Sequence, residues 1–85
     1  MDRAKFNKMV GETLRRKRVN QKLVNKFTTK DLAAYLDMTP GNIYAIEKGV
    51  CSVSMVDFAK YCKFIGMNKS EIVELYQGLI KRVLS

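Results

Sequence analysis

Residues 29–49 read TKDLAAYLDMTPGNIYAIEKG, and their spacing predicts two short helices joined by a tight turn. Thr28, just upstream, stands three residues before Asp31, a pattern in which hydroxyl and carboxylate satisfy each other's backbone amides and open a helix. Leu32, Ala33 and Leu36 then recur at helical intervals, which predicts a helix to about Asp37 with those three facing inward. Thr39 followed by Pro40 opens the next helix: the hydroxyl accepts a free amide, and proline has no amide to leave unpaired. Ile43 and Ile46 form its buried edge, and Gly49 suits a left-handed C-terminal cap.

The same signals extend outward in both directions. Upstream, a helix from Asp2 to about Gln21 carries Phe6, Met9, Val10, Thr13, Leu14 and Lys17 on one stripe, and the pattern loosens into a connector around Leu23 to Phe27. Downstream, Ser54 with Asp57 repeats the capping pattern and opens a helix with Phe58, Ala59, Cys62 and Ile65 inward, closed by Gly66. Asn68 with Glu71 opens a fifth helix that reaches nearly to Ser85. With no alternating apolar pattern anywhere, the expectation is an all-α fold of five helices forming one domain, residues 1–85.

Composition narrows the function classes. The 85 residues hold 16 Lys and Arg against 8 Asp and Glu, a net charge of +8, which makes a polyanion the natural partner. The charge is lopsided: Arg15, Arg16, Lys17, Arg18, Lys22, Lys26 and Lys30 follow one another with no acid among them. No apolar run approaches the length of a membrane span and no signal-peptide core precedes the first helix, so the expected location is the cytoplasm. Cys51 and Cys62, without any His, complete no zinc site and read as small buried or half-buried apolar residues; neither metal nor cofactor is expected. An enzyme is the least expected class, since there is no His, no glycine-rich phosphate loop and no clustered carboxylate set.

The helix opened by Thr39 is thinly apolar for a packing element. Pro40, Gly41, Asn42, Tyr44, Ala45 and Lys48 occupy its other faces and are small or polar, which lets the backbone approach a DNA groove while Asn42 and Tyr44 present hydrogen-bonding groups. Residues from Gly11 to about Gly66 resemble the lambda Cro and phage-repressor class of helix-turn-helix domains, the XRE-like family. The resemblance rests on Arg18 late in the first helix, Leu32-Ala33, Thr39, Ile43 and the closing Glu47-Lys48-Gly49, and the run Thr29 to Gly49 fits without a gap. It implies a lambda-repressor-like domain with the helix-turn-helix at helices two and three, double-stranded DNA as partner, a two-fold homodimer, and an ion pair between Arg18 and Glu47. The family's base-reading positions fall on Pro40, Gly41 and Ala45, with Thr39, Asn42 and Tyr44 beside them. Here the chain departs from its relatives, which place Gln, Arg or Ser at the first two of these positions; readout then rests on fewer side chains and partly on DNA shape. A second departure is a few extra residues between Arg18 and Phe27.

Phosphate contacts are expected from the amides of Thr29 and Lys30 at a helix N-terminus, from the Lys30 and Lys48 ammonium groups, and from Lys22 and Lys26 near the connector. The last helix, residues 69–85, carries an apolar stripe too wide for one domain to cover, so Ile72, Leu75, Tyr76, Leu79, Ile80 and Val83 are expected at a dimer interface, with Gly78 marking a close helix crossing. The reading is a dimeric, sequence-specific regulator on a palindromic operator, of the phage or plasmid repressor or restriction-modification controller kind, with no membrane or small-molecule partner. The alternative is a protein-interaction module, an antitoxin or adaptor, that keeps the same fold.

Overall fold

The structure, a computed structural model, describes residues 1–22 and 26–85, with the Lys22 side chain outside the description. Five helices follow in order: α1 (Arg3–Lys22), α2 (Thr29–Tyr35), α3 (Pro40–Lys48), α4 (Met55–Phe64) and α5 (Lys69–Leu84). There is no strand among the described residues. The radius of gyration is 12.2 Å, close to the roughly 12 Å of a folded chain this long.

The caps show why the helices begin where they do. Thr28 with Asp31 and Asn68 with Glu71 each make both bonds of the capping box. At α4 only half is made: Ser54 accepts from the Asp57 amide at 3.1 Å. Thr39 accepts from the Asn42 amide at 3.3 Å and Pro40 takes the first helical position. Helix α2 ends at Tyr35, short of the expected Asp37, because Asp37 enters the left-handed region at φ 57° and turns the chain toward Thr39. Helix α1 continues past Arg18 as far as Lys22, and residues 23–25 lie outside the described residues.

One core joins the helices: Val10 and Leu14 from α1, Leu32 and Ala33 from α2, Ile43 and Ile46 from α3, Phe58, Tyr61 and Cys62 from α4, and Leu79 from α5. Helix α3 packs on α1 and α2, α4 on α2 and α5. Three expected inward or part-buried residues lie outside. Lys17, placed on the α1 stripe, is exposed, and Gly11 and Arg18 complete the buried face instead; Ala59 is exposed, its inward place taken by Tyr61; and Cys51 is exposed while Cys62 is fully buried.

Two glycines are demanded by this packing. A Cβ on Gly11 would collide with the Ile46 carbonyl oxygen and come within 2.7 Å of the Glu47 oxygen, so only glycine lets α1 cross the end of α3 this closely. Gly49 sits at φ 76° and faces the Lys8 backbone, where a Cβ would come within 2.5 Å, so both its dihedral and its neighbour exclude a side chain.

Candidate nucleic-acid interface

Helix α3 has a buried side and a bare one. Ile43, Ile46 and Glu47 are buried; at about 100° per residue, Gly41, Ala45 and Lys48 line the opposite side, with Asn42 and Tyr44 on its two flanks. Asn42, Lys48 and Gly41 are exposed, Tyr44 keeps 48% of its surface, and Ala45 is half-buried. The side chains of Asn42, Tyr44 and Lys48 make no hydrogen bond or ion pair among the described residues, so their polar groups are available to a ligand. Thr39 and Pro40 are exposed at the same end, with the Thr39 hydroxyl already engaged as the cap.

A buried polar cluster holds this helix in place. Arg18 forks onto Glu47, Nε donating to Oε2 at 2.6 Å and Nη2 to Oε1 at 2.9 Å, and both residues are buried. Nη1 reaches the Thr29 hydroxyl at 3.5 Å. The Tyr61 hydroxyl donates to Glu47 Oε2 at 2.6 Å. Bidentate geometry and a third donor compensate the removal of both charges from water. The Glu47 hydrogen bond holds the Arg18 pKa above its ordinary value, against the opposing effect of burial. Burial, reinforced by the carboxylate beside it, pushes the Tyr61 phenol far up, so it stays a proton donor. Every buried side-chain polar atom among the described residues has a partner. Tyr61 was missed from sequence, where the inward face of α4 is drawn through Phe58, Ala59, Cys62 and Ile65 and leaves Tyr61 out; its spacing carries no sign of the carboxylate it serves.

The phosphate candidates separate. Lys26, Lys30 and Lys48 are exposed, while Lys22 has its side chain outside the described residues. Thr29 is half-buried and its hydroxyl is turned toward Arg18. The N-terminus of α2 already carries Asp31, whose carboxylate accepts from the Thr28 amide at 3.0 Å; those bonds hold the Asp31 pKa below the usual carboxylate range. An anionic ligand therefore meets a negative charge there, which weakens the Thr29–Lys30 amides as a phosphate site.

Carboxylates at helix starts set α3 apart from the other helices. Asp2 accepts from the Lys5 amide at the start of α1, and Asp31, Asp57 and Glu71 occupy the first turns of α2, α4 and α5. Helix α3 has no acid in its first turn, and Asn42 stands at the position that holds Asp or Glu in the other three.

Of the residues expected at a dimer interface, Leu79 is in the core and Ile72, Leu75 and Tyr76 pack against it, Tyr76 meeting Phe58 edge to face at 5.4 Å. Val83 is half-buried and Ile80 is 37% exposed. Gly78, expected at a close crossing, has nothing within 4 Å of where a Cβ would stand.

No group of three His, Cys, Asp or Glu side chains gathers among the described residues, and no helix there is long and apolar enough to cross a membrane. Comparison with protein-family models, curated proteins and solved structures finds no match to the chain.

Proposed function

We propose that the chain is a sequence-specific double-stranded DNA-binding regulator that lays the bare side of α3 in a major groove, as a lambda-repressor-like domain does, and acts as a homodimer on a palindromic operator. The observation that carries the reading is the start of α3. A carboxylate at position 42 would complete a capping box, as Asp31 and Glu71 do at the starts of α2 and α5, and would favour the helix dipole. Its absence has no reason inside the protomer, but a surface that meets phosphates has to exclude it. The bare Gly41 and Ala45, the free Asn42, Tyr44 and Lys48 side chains, and the net charge of +8 support the same partner.

Duplexes selected from a random library are expected to bind with an affinity that falls steeply as salt rises, because each phosphate contact releases counterions. Asn42→Asp is expected to raise the melting temperature slightly and to abolish that binding. Absence of DNA binding at low salt favours the second reading, a protein-interaction module. Its support is the exposure of the apolar side chains Val50, Met55 and Val56, which are 76%, 66% and 62% exposed.

A further inference from the structure

We infer that the chain binds a small monocarboxylic acid, with an apolar body about the size of one aromatic ring, in a cavity between α1 and the loop that joins α3 to α4. The inference does not rest on the DNA reading. It departs from the expectation of no small-molecule partner, because the cavity is assembled from segments far apart in the chain and no local pattern announces it. Its volume is about 260 Å³, more than the roughly 150 Å³ that admits benzene. Phe6 and Val10 of α1, Ile46 of α3 and Val53 of the loop form its apolar walls. A hollow of about 60 Å³ shares Phe6, Val10 and Val53 as walls and carries the apolar lining on toward Phe58 and Leu79.

Charge complementarity identifies the head group. Arg3, Asn7 and Ser52 line the cavity alongside the apolar walls, and Arg3 is exposed with no ion-pair partner among the described residues. The Ser52 hydroxyl donates to Asn7 Oδ1 at 3.3 Å. That bond ties the loop to α1 and leaves the Asn7 NH2 group without a partner among the described residues. Guanidinium and amide are both donors, and no Asp or Glu lines the cavity. The fitting head group is therefore an acceptor only, and the planar fork of Arg3 matches a carboxylate. One cation suits a single negative charge rather than the nearly two of a phosphate monoester. An occupant lies against Ile46, on the buried side of α3 and away from Gly41, Ala45 and Lys48.

Nuclear magnetic resonance titration of the intact, isotope-labelled chain with benzoate and phenylacetate, without DNA, tests the site. Either acid is expected to saturate with a Kd of about a millimolar or tighter, as roughly ten non-hydrogen atoms allow, and to shift the amides of Phe6, Asn7, Ile46 and residues 51–53. Benzamide and phenylacetamide, alike in shape but uncharged, are expected to bind roughly tenfold more weakly. Arg3→Gln should weaken the acids by a similar factor and leave the amides as they were, with an unchanged melting temperature because Arg3 is exposed. Cys51 also lines the cavity, so a saturating acid should slow its alkylation by iodoacetamide severalfold. No saturable binding of either acid, equal affinity for acid and amide, an Arg3→Gln variant that binds like wild type, or a Cys51 rate unchanged at saturation would each overturn the site. Failure of the chain to bind DNA leaves the site standing and overturns only the DNA reading.

Discussion

The two sides of α3 obey different constraints. On the inner side each residue choice has a neighbour that explains it: Gly11 of α1 clears the Ile46 and Glu47 carbonyls, and Glu47 receives Arg18 and Tyr61 in fixed geometry. On the outer side Gly41 and Asn42 are weaker choices for a helix than Ala and Asp, and no neighbour within the protomer requires them. The difference teaches where to look for a ligand: residues that cost the fold something and have no internal reason point to an external one. Substitutions on the two sides should therefore move stability in opposite directions.

The largest effect is expected at the buried pair. Glu47→Ala strands the Arg18 guanidinium, whose side chain is 10% exposed, and should cost about 3–5 kcal/mol, read as a large fall in melting temperature. Replacing both residues with apolar ones of similar size should cost much less, because no charge is then left unpaired. Gly11→Ala comes next, at about 3 kcal/mol, because the collision is with backbone that cannot rotate away. Tyr61→Phe keeps the ring and removes one donor from a carboxylate that retains Arg18, so about 1.5 kcal/mol is expected. Cys62 reports on the same packing: burial pushes its thiol up to about 11. Alkylation at neutral pH should modify Cys51 alone in the wild type, and Cys62 progressively faster in Tyr61→Phe and Glu47→Ala.

Much of this contrast was legible in the residues before any coordinates. The capping pairs placed four of the five helices, since Thr28–Asp31, Thr39–Pro40, Ser54–Asp57 and Asn68–Glu71 are local signals that need no tertiary context; the first was placed by its apolar stripe. Periodicity also separated Ile43 and Ile46 from Asn42 and Tyr44. It failed where burial is decided between helices. Lys17 and Ala59 sit at stripe positions, but α1 meets α3 through Gly11 and Arg18, and α4 turns Tyr61 inward, so the faces rotate slightly from the apolar average. A glycine in the middle of α1 reads as a propensity defect until α3 is seen crossing it. The α5 stripe was recognised as too wide for one domain, yet sequence did not say which part stays outside; Leu79 went in and Val73 and Leu84 stayed out because α4 approaches from one side only.

The smallest stability effect is the most informative about the outer face. Gly41 has ordinary helical dihedrals, since the positive-φ glycines are Gly49 and Gly66. A Cβ there would meet only the Thr39 hydroxyl oxygen, at 3.7 Å. Gly41→Ala thus removes backbone freedom from the unfolded chain without strain in the folded one, and should stabilise the protein by about 0.5–1 kcal/mol. If the bare side of α3 rests against base edges, the added methyl crowds that contact and should cost about 1–3 kcal/mol of DNA binding. Calorimetric melting and fluorescence anisotropy on the same preparations measure the two quantities independently. Stabilisation accompanied by unchanged binding would show that the groove stops short of position 41 and shift any readout to Asn42, Tyr44 and Lys48. Stabilisation with weakened binding would mean that the glycine is kept for what lies outside the protomer, since the fold itself is better without it.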